Sequence, residues 1–233
     1  MIRALRRADL VTLLGAELEV GWLPAAISSA ANPKILPGRP GYFEAAAQVR
    51  LLDVGLPADR ALGDVHPAGN PHLNMDPVRM AQVGKALAER LGQFDPAGAE
   101  HYRRRAGAFS DRVEQRLRGW RQRLAAAPGV VLFHRDAIYL LERFQVPLLG
   151  TIEPVPGVPP TASHLKRLSD SLAGRAGVIV YPAYQASQAP VTLAERLGWP
   201  VFKLPMEPPL QADGAAYLEH LNLWVDAIAA AQR

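Results

Sequence analysis

The sequence predicts an α/β protein of two lobes, each a parallel sheet flanked by helices, joined by one long backbone helix. Two observations predict it. Short apolar runs alternate with helical patterns along the chain, which is the order that parallel sheets covered by helices require. Near the middle, apolar residues fall at Tyr102, Ala106, Phe109, Val113, Leu117, Trp120 and Leu124, at spacings of 4, 3, 4, 4, 3 and 4. That is one unbroken helical stripe.

The elements follow in order. The start, MIRALRRADLVTLLG, places positive charge before an apolar run, as a signal peptide does. Ala8-Asp9 interrupts the run and no small-residue cleavage site follows, so it reads as a helix end running into a strand. Candidate strands are 9–14, 48–54, 129–134, 147–152, 177–181 and 200–204, and helical stretches include 135–144, 162–173, 187–197 and 214–231. Asp76-Pro77 and Asp95-Pro96 each offer an Asp N-cap with Pro at the first helical position. The first of these helices shows Met80, Val83, Leu87 and Leu91 on one face and stops at Gly92. The second carries the stripe from about Pro96 to Ala127, roughly 45 Å at 1.5 Å per residue. The expected organisation is therefore an N-terminal lobe over 1–95, a linking helix over 96–127 and a C-terminal lobe over 128–233. The stretch 154–160, PVPGVPP, reads as a stiff loop leading into a helix capped by Thr161.

Composition narrows the function. Of 233 residues, 49% are apolar and 21% charged, as in an ordinary globular protein. The net charge of +4 reflects arginines concentrated around 103–123. Without interleaved aromatics or a known reading motif these predict a solvated helix face and no nucleic-acid partner. The absence of cysteine removes disulfides and thiolate metal ligands but fits either redox compartment. No run of 18 apolar residues occurs, so no membrane insertion is expected.

The six histidines carry most of the remaining information. His101 and His220 lie in helical patterns among polar residues and are expected to be exposed. His164 sits in the first turn of a helix, where a cap or surface role suffices. His66 and His72 share the Gly- and Pro-broken loop 63–77, GDVHPAGNPHLNMDP, and His72 stands four residues before an N-cap. His134 ends the run GVVLFH, at the carboxyl end of a strand, where open α/β sheets bind ligands. Glu207 lies three residues beyond the run PVFKL, past another strand end. Two imidazoles and a carboxylate suit zinc and are acceptable to manganese or iron. By spacing alone a strand-end histidine is equally a hydrogen-bonded loop residue, and Glu207 a surface acid.

Several stretches together resemble the zinc/manganese substrate-binding proteins of bacterial ABC importers, the ZnuA/TroA-like family (cluster A-I). They are LRRADLVTLLGAELEVGWLP at 5–24, NPKILPGRPGYFEAA at 32–46, the loop at 63–77, FHRDAIYLLERF at 133–144 and PGVPPTASHLKRL at 156–168. The resemblance implies two α/β lobes on a long helix and a metal between them, held in many members by three histidines and a carboxylate. The family's Asn-Pro-His histidine falls on His72, and the one after the first strand of the second lobe falls on His134. The late carboxylate falls on Glu207, where the local match is poor, with Asp213 as the fallback. The family's first histidine lies upstream of the ADLV segment. On this reading the first β-α unit of the N-terminal lobe and the signal peptide are missing, and the chain is a fragment or begins at an internal Met. The long His-rich loop of many zinc members is also absent, and His66 is left as a loop residue.

The expected function is that of a periplasmic, monomeric receptor that delivers Zn²⁺, with Mn²⁺ second, to an ABC transporter permease, without catalysis. One alternative is a zinc hydrolase using His72, His134 and Glu207 with an open fourth position. No His-Glu-x-x-His helix or adjacent general base supports it. The other is a metal-free binding or adhesion module on the same fold.

Overall fold

The computed structural model describes residues 1–55, 67–155 and 157–232. The chain forms two compact units that part between Asp111 and Arg112, within the helix Ala99–Leu124. Among the described residues no helix is long and apolar enough to cross a membrane.

The N-terminal unit opens with α1 (Ile2–Arg7), which runs into β1 (Val11–Leu13) as the sequence suggests. After α2 (Leu23–Ala30) comes β2 (Tyr42–Glu44), parallel to β1 with Val11 opposite Tyr42 and Leu13 opposite Glu44. Leu23, Ile27 and Ile35 form the local core, against which Leu5, Val11, Leu13 and Tyr42 pack. Buried Asn32 fixes the end of α1 by donating to the carbonyls of Leu5 and Ala8, both at 2.8 Å. The turn after β1 is unusual. Gly15, Ala16 and Glu17 all have positive φ, at 83°, 49° and 67°, which turns successive N–H groups toward one side. Glu19 accepts from the N–H groups of Leu14 and Gly15 at 2.8 and 3.0 Å, and Glu44 accepts from Ala16 at 3.1 Å. A Cβ on Gly15 would stand 2.2 Å from the Glu44 side chain, so only glycine fits there.

The stretch 48–54, expected as a strand, is not one. Ala46–Gln48 is a 3₁₀ turn, and Asp53 and Gly55 take positive φ. The carbonyls of Arg50 and Leu52 accept from Arg79 Nε at 3.0 Å and Asn70 N at 2.8 Å. Side-chain and loop donors satisfy them in place of a neighbouring strand. The strand that does pair with β1, Tyr42–Glu44, is too short to show a period.

α3 (Pro77–Phe94) starts at the Asp76 cap, and α4 (Ala99–Leu124) follows a 3₁₀ turn over Pro96–Gly98. The expected single helix holds without a break from 99 to 124. Its stripe is half-buried at Tyr102, Ala106 and Phe109 and buried at Val113, Leu117, Trp120 and Leu124. Arginines crowd its outer faces, and Arg103 pairs bidentately with Glu89 at 2.7 and 2.8 Å.

The C-terminal unit is a four-stranded, wholly parallel sheet in the order β4-β3-β5-β6. The strands are β3 (Val130–Leu132), β4 (Leu148–Thr151), β5 (Val178–Pro182) and β6 (Val201–Leu204). Between and after them come α5 (Ile138–Phe144), α6 (Ala162–Leu172), α7 (Gln188–Leu197) and α8 (Gly214–Ala229). β3 and β5 are buried at every position, as strands covered on both faces must be. On one face Val131 and Ile179 pack with Leu168 and Leu172 of α6 and Leu193 of α7. Val130, Leu132, Val178 and Val180 alternate with them and so point to the other face, where α8 lies against β5 and β6.

Trp120 of α4 locks this second layer. It is 2% exposed, meets Phe144 edge-on at 6.3 Å, and donates to Asn222 of α8 at 2.9 Å. Arg123 donates to the same oxygen at 2.9 Å, and Arg116 and Arg123 pair with Glu219 and Asp226. Trp120→Ala is expected to cost about 3–5 kcal/mol, the usual range for emptying a buried aromatic site, measured by chemical denaturation.

Candidate metal centre

In the N-terminal unit, His72 sits on a turn whose parts are fixed one by one. Asn70 Oδ1 accepts from the His72 N–H at 2.9 Å, and the His72 carbonyl accepts from Met75 N at 3.1 Å. Leu73 and Met75 on either side of Asn74 are buried at 0% and 1% exposure, pinning the turn to the core. Asp76 then does two jobs while fully buried. Its Oδ1 accepts from Val78 N at 2.9 Å as the cap of α3, and its Oδ2 pairs with Arg79 Nη1 at 2.5 Å. His72 itself is half-buried, an imidazole presented on a rigid support. His66 lies outside the described residues. Glu19, a conceivable further ligand on the same unit, has both carboxylate oxygens engaged by backbone N–H groups.

In the C-terminal unit the parallel sheet brings every strand's carboxyl end to one edge. The chain leaves β3 for β4 on one side, and leaves β5 for β6 on the other. The loops after the neighbouring strands β3 and β5 therefore diverge, which opens the crevice where doubly wound sheets bind ligands. The β3 loop carries His134, half-buried, and Asp136, fully buried. The β5 loop carries Tyr184. Glu153 follows β4 and Glu207 follows β6.

These groups feel one another. Burial pushes the Asp136 carboxyl up to about 7, the backbone N–H groups of Ala137 and Asp136 partly oppose this, and the Glu153 charge adds to it. Burial also raises Glu153, which accepts from Gly157 N at 3.1 Å. The Tyr184 phenol is pushed up to about 12 by desolvation and then by Asp136, Glu207 and Glu153. With 68% of its surface exposed, Tyr184 is not an enclosed ring. The carboxylates around it are what define its surroundings.

The loop bearing Glu207 is anchored from behind. His220 Nε2 binds the Met206 carbonyl and Trp224 Nε1 donates to the Pro205 carbonyl, both at 3.1 Å. His220 is 4% exposed, not exposed as its polar flanks suggest, because the buried face of α8 passes through it. Desolvation lowers its pKa, and the hydrogen bond to the Met206 carbonyl opposes that shift. Glu207 remains exposed. Asp213 is committed to capping α8, accepting from Ala215 N and Ala216 N at 2.9 Å each, and those bonds hold its carboxyl below the usual range. His164 caps into α6 through Thr161 and binds the Thr151 carbonyl at 2.9 Å.

His134 and Glu207 thus share one sheet edge, and His72 stands on the other unit. Among the described residues, no three His, Cys, Asp or Glu side chains gather closely enough to hold a metal ion. Sequence reading missed Asp136, Glu153 and Tyr184. The available signal was their position at or near strand ends in a parallel sheet, equivalent to that of His134.

A two-unit α/β architecture with imidazole and carboxylate donors at its loop edges defines a ligand-binding protein of the solute-receptor class. The family profile described as zinc-uptake complex component A, periplasmic, matches residues 1–231, and the chain belongs to that family. Among solved structures it is similar to ZnuA, with 19% identity and TM-score 0.76 over 100% of this chain and 83% of that one. It is also similar to FpvC from Pseudomonas aeruginosa in complex with Mn²⁺, with 25% identity and TM-score 0.76 over 99% and 81% of the two chains. A mutant of the laminin-binding adhesin Lmb from Streptococcus agalactiae gives 22% identity and TM-score 0.77 over 100% and 84%. No curated protein sequence matches the chain.

The support beneath His72 is open to test. Asp76→Ala removes the α3 cap and the carboxylate that pairs with buried Arg79. A loss of about 3–5 kcal/mol is expected, as for other broken buried pairs, and thermal or urea unfolding reads it.

Proposed function

We propose that the chain binds Zn²⁺, with Mn²⁺ second, through His72, His134 and Glu207, and passes the ion to the permease of an ABC importer. Membership in the zinc-uptake family makes it a metal-binding solute receptor that works with such an importer. The proteins of this family are solute-binding proteins and not enzymes, and act in the periplasm or outside the cell. For this chain we place the site of action in the periplasm, the acting form as a monomer and the partner as a metal permease, with no chemical step. The donor chemistry agrees: nitrogen and oxygen ligands without thiolates suit Zn²⁺ and accept Mn²⁺.

The observation that carries this reading is the place of His134. It stands at the start of the loop after β3, where the connections of β3 and β5 diverge, the position at which an open parallel sheet offers its ligand site. His72 supports it from the other unit, on a turn stiff enough to hold a ligand in place. The reading also assigns the lobes as 1–95 and 128–233, with 96–127 as the helix that links them.

Calorimetric titration with ZnCl₂ of the wild type and of His72→Ala, His134→Ala and Glu207→Ala tests the assignment. Each histidine variant is expected to lose at least about tenfold in affinity, about 1.4 kcal/mol, and Glu207→Ala less. Wild-type affinity in both histidine variants would contradict the assignment.

A further inference from the structure

We propose that the groove between α6 and α7 of the C-terminal unit is a binding site for a small organic carboxylate with an apolar chain. The inference goes beyond metal binding and does not depend on it.

The cavity there has a volume of about 410 Å³, within the range of about 300–1,000 Å³ that small-molecule sites occupy. Its floor is apolar: Phe133 and Leu193, 4% and 1% exposed, belong to the core that α6 and α7 cover. Ala162 and Leu165 of α6 form an apolar wall. The facing wall is α7, and its chemistry differs. Gln188, Thr192 and Arg196 follow one another at intervals of four residues, a polar stripe about 12 Å long on one side of that helix. The described lining residues include neither His134 nor Glu207.

A cavity with one apolar wall and one polar wall selects an amphipathic occupant, and Arg196 sets the sign of its charge. A guanidinium stays protonated and only donates hydrogen bonds. The residues three and four positions from Arg196 are Thr192, Leu193, Trp199 and Pro200, none of them acidic, and neighbouring residues such as Glu195 do not face each other on a helix. Among the described residues no carboxylate pairs with Arg196. The fork of a guanidinium matches a carboxylate at two hydrogen bonds. One guanidinium also balances one carboxylate, whereas a phosphate monoester carries about −1.5 to −2 charges near pH 7. The occupant therefore sets its carboxylate on Arg196 and lays its chain over Leu193 and Phe133 against Leu165.

The test is a residue-resolved NMR titration of the metal-free protein, in which no ion can bridge to the ligand, with octanoate, octanamide and acetate as probes. Octanoate is expected to give saturable shifts at Leu165, Thr192 and Leu193, and acetate to leave those resonances unmoved. Octanamide keeps the chain without the charge and is expected to bind at least about tenfold more weakly, as is octanoate to Arg196→Gln, a factor in keeping with loss of a charge-assisted hydrogen bond. Ala162→Phe, at an exposed position, narrows the mouth and is expected to abolish the shifts. The comparison of octanoate with octanamide on the wild type holds even where a variant folds poorly. Octanoate that gives no saturable shift, or shifts centred away from α6 and α7, overturns the proposal. So does octanamide or acetate binding as well as octanoate, or unaltered octanoate binding in either folded variant.

Discussion

A parallel sheet cannot turn a strand around without a crossover, so β3, β4, β5 and β6 must all deliver their carboxyl ends to one edge. The rest of the C-terminal unit depends on that constraint. It gathers His134, Asp136, Glu153, Tyr184 and Glu207 from stretches more than seventy residues apart in the chain. It also leaves the loops of β3 and β5 diverging, so the edge has room for a ligand. The sheet's outer layer then has to be held in place. Trp120, Asn222 and Arg123 tie α4 to α8, and His220 and Trp224 tie α8 to the loop that bears Glu207. The packing of α8 and the position of a proposed metal ligand are therefore one problem.

The N-terminal unit meets the same need by another route. Its two described strands are short, and its loops carry the work. Carboxylates from Glu19 and Glu44 fill the concave run of N–H groups after β1. The buried Asp76–Arg79 pair both caps α3 and, through Arg79, satisfies the Arg50 carbonyl. Buried pairs of this kind add little net stability but make loss of either partner expensive. What the pair supplies is a single geometry for the turn on which His72 rides.

Much of this was legible in the sequence where a period or a cap made it so. The stripe from Tyr102 to Leu124 announced α4, Asp76-Pro77 announced α3, and the four C-terminal strands fell within the runs that predicted them. The misreading of 48–54 has a physical cause: an apolar run beside a turn looks like a strand until the donors that use its carbonyls, Arg79 and Asn70, are known. His220 was misplaced because a buried histidine with a carbonyl partner looks, from its neighbours, like any polar helix residue. Asp136 could be counted but not weighed, since its burial exists only in three dimensions. His72 and His134 could be singled out because both stand beside marks that survive in one dimension, a helix cap and a strand end.

The central proposal is that His72 and His134 are both ligands of the ion this chain binds. X-ray absorption at the zinc edge of the Zn²⁺-loaded protein tests it most directly. The account predicts a nitrogen and oxygen shell at about 2.0–2.1 Å with the outer-shell scattering of two histidine rings, one of which disappears in His72→Ala and one in His134→Ala. A shell of oxygens without imidazole scattering, or a spectrum that neither substitution alters, would contradict it.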